Sequence, residues 1–146
     1  MKVVIAGSRG FCKPPNKDDR KYKRNPSAIL DDWEQYEKEY ASLCITIDMY
    51  ESKFGPITEV ISGTAVGVDQ AGERWASERD IPIERFKPDW VKLGKSAGFV
   101  RNVAMLNRAD GAIVAVKDGS KGSDHTLREA KRRKMPLLER RITTQA

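Results

Sequence analysis

The chain holds little of what metal centres and disulfide scaffolds are built from. It has 2 cysteines, Cys12 and Cys44, and 1 histidine, His125, among 146 residues. There is no Cys-x-x-Cys pair and no histidine cluster. This argues against a zinc site or a disulfide framework and fits a reducing compartment. No metal and no cofactor are expected. No apolar run approaches the roughly 18 residues of a membrane helix. The N-terminus reads directly as a strand with no signal peptide ahead of it, so a cytoplasmic protein with no membrane partner is expected (the host cytoplasm if phage-encoded). Neither G-x-G-x-x-G nor G-x-x-x-x-G-K-S/T occurs, so an NAD fingerprint and a P-loop both lack support.

What is present is charge, unevenly placed. The net charge is +6 and the sequence pI about 9.4, which favours an anionic partner. Residues 11–26 hold six Lys/Arg against Asp18 and Asp19, and residues 128–141 hold seven against Glu129 and Glu139. Residues 27–53 hold seven acids against Lys38 and Lys53. At 146 residues the chain is expected to be a single domain with a real core.

One local pattern occurs three times. A short apolar β-run breaks into a glycine turn: residues 2–6 into Gly7-Ser8-Arg9-Gly10, residues 58–61 into Ser62-Gly63-Thr64-Ala65-Val66-Gly67-Val68-Asp69, and residues 111–116 into Asp118-Gly119-Ser120-Lys121-Gly122-Ser123. The second turn leads into a helical pattern. A strand, a glycine turn and a helix start leave backbone N–H groups where an anion can sit. The remaining elements are read as strands near 81–86 and 136–138, with a frayed tail from Ile142, as a loop over 87–96, and as helices over 67–79, 97–108 and 124–134. Strands alternating with helices imply an α/β fold: a three-layer, Rossmann-like parallel sheet of about five strands with flanking helices. Ligands of such sheets bind at the carboxyl ends of the strands, where all three turns fall.

Two longer segments stand apart. Residues 11–26 read as a basic loop insertion broken by Pro14, Pro15 and Pro26, either a solvated excursion or a lid. Ser27 is expected to cap the next helix. That helix carries apolar residues at Ile29, Trp33, Tyr36, Tyr40, Leu43, Ile47, Tyr50 and Phe54, spaced alternately four and three, and stops at Gly55-Pro56. A stripe this long either packs wholly on the sheet or overhangs to pair with a second subunit.

The side chains of the turns suit phosphate. Arg9 offers a fork and Lys121 a point charge, while Ser8, Ser120 and Ser123 offer hydroxyls. Asp69 cannot bind phosphate; it either caps its helix or accepts from a ribose hydroxyl. Trp90 stacks a base or covers the core, with the core favoured. Phe99, Val103 and Leu106 are expected to face inward. His125 has no carboxylate to orient it, so a surface or ligand contact is favoured over a general base. The basic helix 128–134 lacks interleaved aromatics, so a solvated face is preferred to a nucleic-acid surface.

Taken in order, Gly7-Ser8-Arg9, Ser62-Gly63-x-x-x-Gly67-Val68-Asp69 with Trp75-Ala76, Asp89-Trp90, Ala97-Gly98-x-x-Arg101-Asn102-x-x-Met105, Ala109-Asp110-Gly111-Ala112 and Asp118-Gly119-Ser120-x-Gly122-Ser123 resemble the YspA-like branch of the SLOG superfamily. These are Rossmann-like proteins of bacteria and their phages. Relatives include the LOG phosphoribohydrolases, the DNA-binding DprA proteins and sensors of ADP-ribose-type signals. Arg101-Asn102-x-x-Met105 is similar to the LOG R-K-x-x-M segment, whose Arg serves substrate binding and catalysis. Asp118 to Thr126 is similar to P-G-G-x-G-T-x-x-E, with Ser120 for the second Gly, Ser123 for the Thr and Thr126 for the catalytic Glu. Thr cannot do an acid's work at neutral pH; Glu129, one turn later, is the possible substitute.

The resemblance implies a nucleotide or nucleotide-derived phosphate ligand held by Gly7, Ser8, Arg9, Gly63, Thr64, Gly67, Asp69, Trp90, Arg101, Asn102, Asp118, Gly119, Ser120, Lys121, Gly122, Ser123 and Thr126. The expected role is a sensor, or a phage-type protein that sequesters a signal, in a homodimer or larger assembly. The alternatives are a LOG-like N-glycosidase using Arg101 and Glu129, and a nucleic-acid-binding protein.

Overall fold

The computed structural model describes residues 1–117 and 121–142. Five strands form one parallel sheet: β1 (Lys2–Gly7), β2 (Glu59–Ser62), β3 (Ile83–Arg85), β4 (Gly111–Lys117) and β5 (Leu137–Ile142). Their order is β3-β2-β1-β4-β5. The chain therefore starts in the middle, works outward to β3, then crosses back to β4 and β5. The change of direction falls between β1 and β4, where Gly7 pairs with Ala115. In open α/β sheets that switch point opens a crevice at the carboxyl edge.

The helices are α1 (Lys21–Arg24), α2 (Ala28–Phe54), α3 (Val68–Glu78), α4 (Trp90–Leu93), α5 (Ala97–Arg108) and α6 (Lys121–Arg132), with a 3-10 turn at Gly94–Ser96. Alternation along each strand divides the core in two. Val3 and Ile5 of β1 face a cluster with Leu43, Ile47, Tyr50 and Trp75, from α2 and α3. Val4 and Ala6 face the opposite cluster with Met105, Leu106, Leu127 and Ala130, from α5 and α6. This is the expected three-layer arrangement. Among the described residues no helix is long and apolar enough to cross a membrane.

Helix α2 is longer than the sheet it packs on. Its 27 residues span about 40 Å at 1.5 Å each, against about 20 Å for a six-residue strand. Tyr40, Leu43, Ile47 and Tyr50 are buried, whereas Trp33 of the same stripe is 42% exposed and Leu30, beside the stripe, is 69% exposed. The amphipathic stripe is thus covered only towards the C-terminal end, and the N-terminal end overhangs. Ser27 stands at the N-cap but caps nothing: its hydroxyl donates to Asn25 Oδ1 at 2.9 Å.

The loop over 11–26 is not a wholly solvated excursion. Phe11 and Cys12 are in the core, and burial pushes the Cys12 thiol up to about 12. The Cys12 amide donates to Glu39 at 2.9 Å. The turn α1 forms despite the prolines, and its Tyr22 donates to Asp32 at 2.6 Å. The acids of α2 therefore hold the basic loop down by short-range pairing.

Three further expectations need correcting. Residues 90–96 are helical rather than loop, because Asp89 caps α4 by accepting from Lys92 N–H at 3.0 Å. Phe99 does not face inward; it is 46% exposed, and Asn102 and Met105 take the buried face of α5. Strand β5 does not end at 138 but pairs with β4 from Leu137 to Ile142. A backbone ladder overrides the charged side chains of Glu139, Arg140 and Arg141, and Arg140 also donates to Ser42 O and Thr46 Oγ1 of α2.

Leu43→Ala is expected to cost about 2–5 kcal/mol by leaving a cavity under α2. Leu30→Ala, on the overhang of the same helix, is expected to stay within about 0.5 kcal/mol. Urea denaturation of the two variants checks the contrast.

Candidate functional site

The first two glycine turns are fastened to each other. Gly67 has φ +97, and a Cβ there would lie 2.6 Å from Ser8 O and 2.8 Å from Arg9 Cα. Only glycine lets the start of α3 approach the end of β1 this closely. The Val68 amide then donates to Ser8 O at 3.4 Å, and Gln70 N–H to Ala65 O at 3.3 Å. Much of the N–H array at the start of α3 is thus consumed within the protein, and Gly67 faces the first turn rather than the cleft.

Asp69 completes this joint. It is 4% exposed, and its two oxygens accept from the Gly7 amide and the Ala65 amide, both at 3.3 Å. It is therefore a clamp between turns and not a cap on its own helix. Burial is the largest influence on its acidity and outweighs the nearby Arg101 charge and both amides, so its pKa rises from 3.8 to about 6. Ser8 is also structural. Its hydroxyl accepts from Lys117 N–H at 2.7 Å, extending the β1–β4 ladder beyond Gly7.

From the opposite side of the sheet, α5 delivers Arg101 and Asn102. Arg101 Nη1 donates to Gly63 O at 2.6 Å, and its Nε donates to Asn102 Oδ1 at 3.0 Å. Because the guanidinium can only donate, Asn102 must turn its oxygen to Arg101 and its NH2 outward. That NH2 meets Gly122 O at 3.4 Å and His125 Nδ1 at 3.2 Å. His125 Nδ1 must then accept, which defines a neutral ring protonated on Nε2. Burial, the largest influence, lowers the His125 pKa. Its ring lies 4.6 Å from that of Phe99. One hydrogen-bonded chain thus runs from the second turn through α5 to the start of α6.

These elements enclose a cleft of about 440 Å³ at the carboxyl edge of the sheet. Ser8, Arg9, Asp69, Arg101, Asn102, Lys121, Gly122, Ser123 and Thr126 line it, as does Gly7. Lys117 and Ala65 line it too; neither was singled out in the sequence, although Lys117 is the last residue of a strand whose carboxyl end was expected at the site. Gly63, Thr64 and Trp90 line an adjoining chamber of about 340 Å³ instead. The preference for Trp90 as core is overturned, since it is 51% exposed. Asp118, Gly119 and Ser120 lie outside the described residues.

The cleft is electropositive. Arg9, Arg101, Lys117 and Lys121 face it against the single carboxylate of Asp69 among its described lining. Arg9, Lys117 and Lys121 make no ion pair among the described residues. No group of three or more His, Cys, Asp and Glu among the described residues is arranged to hold a metal ion. Thr126 occupies the cleft wall, with its hydroxyl donating to Gly122 O at 3.3 Å. Glu129 does not line the cleft. It is held by Arg132 at 2.8 Å and Arg133 at 2.6 Å, and these hydrogen bonds drive its pKa down to about 2. A carboxylate so acidic and so placed is no substitute for a general acid. Part of the basic segment is likewise paired off locally: Lys131 meets Glu139 at 3.2 Å, and Arg141 of β5 meets Asp124 at 3.6 Å.

A parallel α/β sheet of this order, with a cationic crevice at its switch point, defines a Rossmann-like protein. The profile of the YspA, cpYpsA-related SLOG family matches residues 1–92, more than half of the chain, and the chain belongs to that family. It is also similar to the "Gene 61 protein" of Mycobacterium phage D29, at 30% identity over 97 residues, covering 62% of this chain and 76% of that one. No solved structure matches. The matched segment ends before α5, so Arg101, Asn102 and the start of α6 rest on the geometry above.

Two outcomes are expected. Gly67→Ala forces a Cβ into the left-handed region and against Ser8 O, costing about 1–3 kcal/mol from the backbone alone, read by chemical denaturation. Asp69 binds its proton more tightly folded than unfolded. Its stabilising contribution is therefore fully present below pH 3.8 and lost as pH rises to about 6, a change of about 3 kcal/mol. Between wild type and Asp69→Asn, the difference in unfolding free energy should fall across this window as pH rises, since the carboxylates common to both cancel.

Proposed function

We propose that the cleft binds a nucleotide or nucleotide-derived phosphate and releases it unchanged, as a sensor or a signal-sequestering protein. The reading rests chiefly on one observation: four cations face a space whose described lining holds one carboxylate, and that carboxylate is already engaged by two amides. A di- or trianionic ligand balances that field, whereas a neutral one does not. Membership of the family supports a nucleotide-related ligand.

The same residues argue for binding over hydrolysis. Cleaving an N-glycosidic bond calls for an acid or base placed against the leaving group. Thr126 stands where the LOG-like segment has Glu, Glu129 is fully ionised and tied to two arginines, and His125 does not line the cleft and accepts from Asn102 on Nδ1. Asp69 is consumed as a clamp.

Thermal unfolding against a panel of nucleoside phosphates tests this. A ligand at 100-fold over its Kd adds about 2.7 kcal/mol, or about 5–10 °C for a chain of this size. The double variant Arg9→Ala, Lys121→Ala should lose the shift while its own Tm stays within about 2 °C, since both side chains are exposed. Mass spectrometry of the recovered ligand should find it intact. Free base released from a nucleoside monophosphate would carry the hydrolase reading instead, and no shift with any phosphate would overturn the binding reading.

A further inference from the structure

The cleft and the chamber beside it share Arg9, Ala65 and Arg101. Each is large enough for part of a ligand, at about 440 and 340 Å³, within the usual range for small-molecule sites. They are also chemically unlike. The larger holds Lys117, Lys121 and the polar start of α6. The smaller is walled by Trp90, Pro88 and Lys87. The two guanidiniums stand at the junction.

Trp90 is placed there by local structure. Asp89 caps the single turn of α4, setting the indole at its first position. The indole reaches across Gly98 of α5: a Cβ on Gly98 would lie 3.6 Å from Trp90 Cη2 and 3.8 Å from Arg101 Nη2. A bare backbone at 98 therefore lets the ring stand beside Arg101. No other aromatic ring or cation stacks on Trp90 among the described residues, in contrast to Trp33 and Trp75. An indole half in water, next to a cation and on a turn capped by Asp89, is a stacking platform.

Building on the phosphate-binding reading above, we propose that the ligand is two-armed. A phosphate or diphosphate bridge sits between Arg9 and Arg101, a sugar–phosphate arm fills the larger chamber, and an aromatic base stacks on Trp90 in the smaller one. An anion between the two guanidiniums turns their mutual repulsion into attraction from both sides. Trp90 is then the residue that selects a base-bearing ligand from a bare sugar phosphate.

Calorimetry with ADP-ribose, AMP and ribose 5-phosphate as probes tests this on the full chain. Wild type should bind ADP-ribose at least tenfold tighter than either fragment. Trp90→Ala should weaken ADP-ribose about tenfold or more, as expected for loss of one base stack, and leave ribose 5-phosphate unchanged. Trp90→Phe should restore most of the loss. Gly98→Leu, which crowds the indole without removing it, should weaken ADP-ribose and spare ribose 5-phosphate. Circular dichroism confirms that each variant is folded. Tight ADP-ribose binding indifferent to Trp90, or a Trp90→Ala loss shared equally by ribose 5-phosphate, overturns the two-armed ligand and leaves the phosphate reading standing. Failure of all three probes to bind wild type overturns the two-armed ligand, and the phosphate reading falls with it only where the nucleoside phosphate panel also gives no thermal shift.

Discussion

A buried carboxylate holds the carboxyl edge of the sheet together at the cleft. Asp69 sits at the start of α3 with almost no exposure and accepts one amide from the end of β1 and another from the loop after β2. Taking a charge out of water is costly, and the cost appears as an acidity weakened to about 6. The return is positional. Two loops that would otherwise fray are fixed to one helix, and Gly67 permits the close approach that makes the joint possible. Without that joint Arg9 has no defined place, and the two chambers lose their common wall.

The second constraint is a hydrogen-bonded chain whose polarity is dictated by its first member. Arg101 can only donate, so Asn102 turns its oxygen inward and its NH2 towards Gly122 and His125. This couples the β2 loop to the start of α6 across the cleft. It also gives His125 a structural part and denies it a proton on Nδ1. Of the two positions that resemble LOG catalytic residues, Arg101 keeps its arginine but donates to Gly63 O, and Thr126 replaces the glutamate, while Glu129 is ion-paired away from the cleft. The cations remain, which is why binding is the better reading.

Much of the architecture was legible because local rules and tertiary demands agreed. Apolar runs ending in glycine marked three of the five strands and their carboxyl ends, and the four-three spacing of α2 marked a helix with a buried stripe. Where the rules disagreed with the packing, packing prevailed. Phe99 looked like core, but the inward face of α5 belongs to Asn102 and Met105. Trp90 looked like core, but capping by Asp89 set it at the cleft rim. Strand β5 looked short, yet a full ladder with β4 carries it to Ile142. Ser27 had the chemistry of a cap, but its hydroxyl found Asn25 first.

The sequence by itself determined the sheet, and it pointed to the carboxyl edge where the cationic cleft lies. Hydrophobic period, glycine turns and formal charge are properties of short segments, and they survive whatever the rest of the chain does. Only the tertiary structure decided which polar groups of those segments remain available. Ser8, Asp69 and the amides of α3 were plausible ligand contacts one turn at a time, and they became internal fastenings once the turns met. The reason is that a buried donor or acceptor must find a partner, and which partner it finds depends on residues far away in the chain.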